Sequence, residues 1–182
     1  HTGLELDFSA VQLRKRNVVE RLYQGLKQLL QQYPIDIYYG KGRILGPSIF
    51  SPQSGTISVE YQDGRENQIL IPQFVIIATG SRPRSLPGWE VDGERICFSD
   101  HVLEMEELPA SVVIIGGGAI GVEWASLLSD FGVKVTIVEA ADRILPFEDE
   151  EISITMKQHL EKRNVSIYTG VEGVPDWSTN EN

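Results

Sequence analysis

The chain has 182 residues, of which 41% are hydrophobic and 23% charged, and a formal net charge of −10. The acidic balance argues against nucleic acid or an anionic membrane as main partner, and no apolar run reaches the length of a membrane-spanning helix. A single cysteine, Cys97, excludes an intrachain disulfide, and the three histidines stand far apart with no cysteine at metal-ligand spacing, so no metal site is expected. The first residues lack signal-peptide character, which makes the cytoplasm the default compartment, and His1 in place of an initiator methionine suggests an excised or processed piece.

Residues His1 to Asp7 read as a frayed entry. Ser9 is placed to cap a long helix reaching about Tyr33, with Val11, Val18, Leu22, Leu26 and Leu29 on one stripe. The basic cluster Arg14 to Arg16 could meet a phosphate or an acidic partner; a solvated helix face is the preferred reading. Pro34 stops the helix. Ile35, Ile37 and Tyr39 then alternate with polar positions, as do Ile57, Val59 and Tyr61, and Ile69 with Ile71. With turns at Pro47 to Ser54 and at Asp63-Gly64, this predicts an antiparallel meander with one covered face. Gly40 and Gly42 either permit a bend or let a flat ligand lie against the backbone.

Phe74 to Ala78 predicts a buried strand that runs into Thr79-Gly80-Ser81. Small residues at such a strand end can meet a ligand at the carboxyl edge of a sheet. Arg82 to Trp89 reads as a linker, Ser99 or Asp100 as the cap of a short helix through Met105, and Pro109 as the lead into the next strand.

The chain is organised around 111–139. Val112 to Ile115 predict a buried parallel strand. Gly116-Gly117-Gly118-Ala119-Ile120-Gly121 follows and fits G-x-G-x-x-G. Val122, Ala125 and Leu128 then recur at helical spacing, Phe131 closes that face, and Gly132 is placed to cap the helix C-terminus. Val133, Val135 and Ile137 predict a second strand ending at Glu139, eighteen residues past Gly121. In this context Gly116 permits the tight turn, Gly118 lets a pyrophosphate approach the backbone, and Gly121 lets the helix lie close on the strand. The helix N-terminus presents N–H groups and positive dipole to phosphate. A carboxylate at position 139 can accept ribose hydroxyls and repels a 2′-phosphate, which favours NAD(H) over NADP(H). Arg143, beyond the strand end, could soften that repulsion. The motif is specific because strand, glycines, helix, second strand and acid occur in the required order. A further helix over about 149–163, with Ile152, Met156 and Leu160 on one face and His159 on the surface, precedes a third strand at Val165 to Tyr168. From Gly170 the pattern fades into an irregular tail, Trp177 to Asn182.

VIIATGSRPRSLPG at Val75 to Gly88 and IIGGGAIGVEWAS at Ile114 to Ser126 together resemble the flavin- and NAD-dependent disulfide reductases. The runs GKGRILGPSIFSP at Gly40 to Pro52 and DFGVKVTIVEAADRILP at Asp130 to Pro146 are similar to the dihydrolipoyl dehydrogenases, the E3 components of 2-oxo acid dehydrogenase complexes, of the branched-chain type. The resemblance implies an α/β fold with parts of two Rossmann-like (three-layer β/β/α, FAD/NAD(P)-binding) domains and an antiparallel β-meander: the C-terminal portion of an FAD domain at 1–98 and the N-terminal half of an NAD domain at 99–182. It implies FAD contacts at Gly42, Thr79, Gly80 and Ser81, and NAD contacts at Gly116, Gly117, Gly118, Ala119, Ile120, Gly121, Val122, Glu123, Glu139 and Val174. Glu123 is read equally as an acid directed toward the nicotinamide side or as one stabilising a helix N-terminus.

Family members oxidise dihydrolipoyl groups through a redox disulfide, FAD and NAD⁺, and the resemblance implies a homodimer that associates with an E2 component. This chain departs from them in lacking an N-terminal G-x-G-x-x-G, a C-x-x-x-x-C pair and a His-Glu pair. The expectation is therefore a central fragment that binds NAD(H) at most, with no catalytic residue assigned and with Cys97 merely packing. The other readings are another reductase of the superfamily, of the NADH oxidase or mercuric reductase type, and a non-catalytic NAD-binding module. The half NAD domain exposes a sheet edge, which predicts an oligomer through that edge or a rearranged chain.

Overall fold

The computed structural model describes residues 6–46 and 55–171. The turn expected at Pro47 to Ser54, the tail at Trp177 to Asn182 and the contact expected at Val174 lie outside the described residues. The chain divides into two compact units, one from the described residues of His1–Arg16 and Ser85–Asn182, the other from those of Asn17–Arg84.

Helix α1, Phe8–Gln31, contributes its first turns to one unit and the rest to the other. Its cap is Asp7 rather than Ser9: the Asp7 carboxylate accepts the N–H of Ala10 at 2.9 Å, which satisfies an otherwise orphaned amide of the first turn. The apolar stripe is present, but Val18, Leu22, Leu26 and Leu29 are exposed. The basic cluster is not uniformly solvated. Lys15 donates to the carbonyl of Leu103 and pairs with Glu104 at 3.1 Å, while buried Gln12 donates to the carbonyl of Met105 at 2.8 Å. These side chains serve the end of helix α2, Ser99–Leu103, whose last carbonyls lack partners within the helix. The N-cap of α2 is Phe98, not Ser99 or Asp100; the Nδ1 of His101 accepts the Phe98 N–H at 3.0 Å.

In the unit of Asn17–Arg84, strands β1 (Lys41–Ile44), β2 (Ile57–Glu60) and β3 (Gln68–Leu70) form an antiparallel sheet in the order β1-β2-β3. Gly42 stands opposite Val59, and Ser58 opposite Ile69. A Cβ on Gly40 would lie 2.8 Å from both the carbonyl oxygen of Glu60 and Cγ1 of Val59, so glycine there lets the chain enter the sheet. At Gly42 the nearest such atom is 4.0 Å away. Two expected strands are absent. Residues 35–39 and 74–78 form no ladder, and Ile35, Phe74, Ile76 and Ile77 are exposed, Ile76 by 90%. An apolar run becomes a buried strand only where neighbouring strands take its N–H and C=O groups; no described strand pairs with either run.

In the other unit, β4 (Ser111–Ile115), β5 (Lys134–Val138) and β6 (Ser166–Tyr168) form a parallel sheet in the order β4-β5-β6. Helices α3 (Ala119–Asp130) and α4 (Glu150–Glu161) make the crossovers. Val122, Ala125 and Leu128 of α3 and Leu160 of α4 pack with Val135 and Ile137 of β5 and with Ile144, Leu145 and Val165 in one core. The expected two-sided burial of β4 does not hold. Val112 and Ile114 pack against the core, but Val113 and Ile115 are each 41% exposed, because the core lies on one face of the sheet. The buried face of α4 also differs from expectation: Ile152 is exposed and Ser153 is buried, its hydroxyl donating to the carbonyl of Ile144 at 2.6 Å.

Both helices end in the same way. Gly132, at φ 82, donates to Ser129, and Val133 to Leu128. Asn164, at φ 63, donates to Glu161, and Val165 to Leu160. This is the Schellman pair of bonds, with a left-handed residue after the helix and an apolar contact across it. Arg163 then ties α4 to α3, donating to the hydroxyl and carbonyl of Ser126 and pairing with Asp130 at 2.5 Å.

Candidate dinucleotide site

The carboxyl edge of the parallel sheet is where strand carbonyls, a helix N-terminus and a strand-end acid converge. Gly116 leaves β4 with φ 107, a conformation L side chains rarely adopt, while its N–H still reaches the carbonyl of Val138 at 2.8 Å. Gly118 is the N-cap of α3, with φ −73 and ψ −176, and no side chain caps the helix. The first-turn amides of Ala119, Ile120 and Gly121 therefore stand at an uncapped helix start, the arrangement that receives an anion.

The glycines divide by what surrounds them. A Cβ on Gly118 would meet nothing within 4 Å, so that side of the loop is open to a ligand. A Cβ on Gly121 would lie 2.1 Å from the carbonyl oxygen of Gly116 and 3.3 Å from Cγ2 of Ile114. The close approach of helix, turn and strand thus requires glycine at 121. Ala119 and Ile120 are exposed on the first turn, Val122 is turned into the core, and Glu123 is exposed one residue further along.

Glu139 follows β5 and is half-buried. Its Oε2 accepts the N–H of Gly117 at 2.5 Å and its Oε1 the N–H of Ala141 at 2.8 Å. A carboxylate offers about four acceptor positions, so acceptor capacity remains for hydroxyl groups. Arg143 is placed differently from expectation. Its guanidinium donates to the carbonyls of Pro146 and Glu148, both at 3.1 Å, and so closes the loop that follows Glu139. The structure thus brings Gly116 to Gly121 and Glu139 together around one helix start.

Thr79, Gly80 and Ser81 are exposed on an irregular stretch of the Asn17–Arg84 unit, with Gly80 at φ 76. Gly42 is in β1 of that unit. Cys97 is half-buried with its Sγ 3.5 Å from the carbonyl of Glu94; burial pushes its thiol up, and the charges of Asp92 and Glu94 add to the effect, which disfavours a thiolate. Sequence reasoning missed Ile144 and Leu145, which meet Gly117, and Ser153, which holds the carbonyl of Ile144. The available signal was the middle of three consecutive glycines, Gly117, at a position where the motif accepts any residue.

The family model described as pyridine nucleotide-disulphide oxidoreductase matches residues 3–175. A dihydrolipoyl dehydrogenase of Bacillus subtilis is 58% identical over 97% of this chain and 37% of its own length. The chain spans about a third of the length of the curated relatives it matches. Among solved structures, the HOCl-induced flavoprotein disulfide reductase RclA from Escherichia coli matches with a TM-score of 0.73 at 29% identity, over 92% of this chain and 36% of that one. LpdA from Mycobacterium tuberculosis matches with a TM-score of 0.80 at 23% identity, over 93% of this chain and 36% of that one, a likeness of fold.

Proposed function

The chain belongs to the pyridine nucleotide-disulphide oxidoreductase family, and from that premise we propose that it is the NAD-binding part, with a portion of the FAD-binding part, of a dihydrolipoyl dehydrogenase. In this reading the FAD-binding portion is 1–98 and the NAD-binding portion 99–182. The observation that carries this reading is the open face of Gly118 at an uncapped helix start, beside the strand-end carboxylate of Glu139.

In this reading the first-turn amides of α3 hold the pyrophosphate, and the bare Cα of Gly118 allows it to approach. Glu139 accepts the adenosine ribose hydroxyls with the acceptor capacity its backbone bonds leave. Its negative charge disfavours a 2′-phosphate, which selects NAD(H). Ala119, Ile120, Glu123 and Val174 complete the NAD contacts, and Gly42, Thr79, Gly80 and Ser81 contact FAD; Val122, expected among the NAD contacts, instead packs in the core with its N–H on the carbonyl of Gly118. In the longer protein, FAD and NAD⁺ carry electrons away from a dihydrolipoyl group by way of a redox disulfide, and this chain's residues bind and orient. The longer protein is proposed to be a cytoplasmic homodimer that associates with an E2 component and serves cell redox homeostasis. This chain carries no assigned catalytic residue and is proposed to be inactive alone.

The test is a fluorescence titration of the 182-residue chain with NADH and with NADPH. NADH binding that is tighter than NADPH binding, and lost in Gly118→Val, is expected. A Cβ at 118 meets no protein atom within 4 Å, so loss of binding in a variant that stays folded would report on the ligand's space. Binding unaffected by Gly118→Val, or no NADH binding by a folded chain, would refute the assignment.

A further inference from the structure

The glycine loop has one glycine more than its motif needs. Gly117 is buried, and a Cβ there would lie 2.8 Å from Cγ2 of Ile144, 3.2 Å from Cβ of Ile144 and 3.3 Å from Cβ of Glu139. The demand for glycine at 117 thus comes from beneath the loop. Both polar groups of Gly117 are also engaged: its N–H donates to Glu139, and its carbonyl accepts the N–H of Leu145 at 2.7 Å. Leu145 reaches that carbonyl from φ 49, a strained conformation for a non-glycine residue, with its side chain buried. Strain of this kind persists where the surroundings over-determine it. Here Ile144 is fully buried, the hydroxyl of buried Ser153 donates to its carbonyl at 2.6 Å, and the guanidinium of Arg143 spans the carbonyls of Pro146 and Glu148.

Resting on the dinucleotide reading above, we propose that Ile144 and Leu145 are positioning residues of the site: they set the height of Gly117, and through it the aim of Glu139 and the edge at Gly118, while Ser153 fixes where Ile144 stands. The device depends on shape. The atom under Gly117 is the β-branch of Ile144, so side-chain volume alone does not reproduce it. Ile144→Val keeps that branch and loses only the terminal methyl group. Ile144→Leu keeps the volume and loses the branch.

Three quantities on the 182-residue chain test this: the melting temperature, amide exchange at Gly117, and NADH affinity. Ile144→Val is expected to lower the melting temperature while leaving Gly117 exchange and NADH affinity within about twofold. Ile144→Leu is expected to speed Gly117 exchange and to weaken NADH by about tenfold or more, since small misplacements of a binding group are costly. Ser153→Ala is expected to move the same two readouts in the same direction, and it carries the test if Ile144→Leu does not fold. The inference is overturned if NADH affinity follows melting temperature across the variants, or if Gly117 exchange changes without any change in affinity. Unchanged Gly117 exchange in Ile144→Leu and Ser153→Ala overturns it independently of any ligand. Failure of the unsubstituted chain to bind NADH would overturn the dinucleotide reading first, and the exchange data separate that failure from this one.

Discussion

The Cα of Gly121 faces the carbonyl oxygen of Gly116 so closely that a Cβ would lie 2.1 Å from it. That oxygen belongs to the backbone of a tight turn and cannot rotate away. Gly121→Ala is therefore expected to destabilise the unit by about 3 kcal/mol, at the upper end of overpacking costs. Gly118→Ala, with open space around its Cβ, is expected to change stability by less than about 1 kcal/mol. Urea denaturation of the two variants, followed by the fluorescence of Trp124 beside the core, distinguishes them. Equal stabilities would contradict the packing described.

Glu139 links the glycine loop and the strand end through bonds to Gly117 and Ala141. Glu139→Gln retains an acceptor oxygen but loses the charge and one acceptor. A destabilisation of about 1–2 kcal/mol is expected, the difference between charge-assisted and neutral hydrogen bonds. On the proposed dinucleotide reading, its preference for NADH over NADPH narrows by about tenfold, since a repulsive charge is removed. Parallel titrations with both nucleotides measure this, and an unchanged ratio would place the discrimination elsewhere.

Arg163 is partly exposed and joins α4 to α3 through Ser126 and Asp130. The ion pair with exposed Asp130 contributes little by itself, but the forked donors to Ser126 do not survive replacement by an ammonium. Arg163→Lys is expected to cost about 1 kcal/mol. For a chain of this size that is a fall of about 2–4 °C in melting temperature, largely insensitive to salt. A fall abolished by high salt would assign the contribution to the Asp130 pair instead.

Asn164 and Gly132 hold equivalent left-handed positions after α4 and α3. Asn164→Ala is expected to destabilise by about 1 kcal/mol, the cost of placing a Cβ-bearing residue without a local hydrogen-bonding side chain there. Asn164→Gly is expected to be tolerated. Thermal melts that rank alanine above glycine at this position would contradict the cap geometry.

The carboxylate of Asp92 accepts the amides of Glu94, Arg95 and Ile96 at 2.8–2.9 Å. The Ile96 bond leads the effects that hold its carboxyl below the usual carboxylate range, followed by that of Glu94. A depressed folded-state value means the stabilisation is present above the ordinary aspartate range and is lost as pH falls through the folded value. Amide protection at Ile96 is therefore expected to fall on acidification, and Asp92→Asn, which keeps the acceptor oxygen, to remove most of that pH dependence. Protection that stays constant through acid would oppose it.

Much of the parallel unit was legible along the chain. The Val112 to Ile115 run, the glycines, the Val122–Ala125–Leu128 spacing and the capping Gly132 are local signals, and each lies where expected. They work because helix period, turn chemistry and caps depend on residues within a few positions of each other. The run at 74–78 is as apolar as β4, yet it is exposed and unladdered. Strand identity there depends on neighbours that a local pattern does not contain.

Contacts across long sequence separations were invisible for the same reason. Lys15 reaching the end of α2, Arg163 reaching Ser126 and Ile144 standing under Gly117 each join segments whose separation no periodicity encodes. The sequence by itself determined that a glycine-rich strand-to-helix turn is followed by a strand ending in an acid, because each of those features is a local conformational preference. Only the tertiary structure decided which glycine faces open space and which faces the core. It also decided that Glu139 is tied to Gly117 and that Arg143 is occupied by its own loop, because packing and hydrogen bonding are settled by what the folded chain brings alongside.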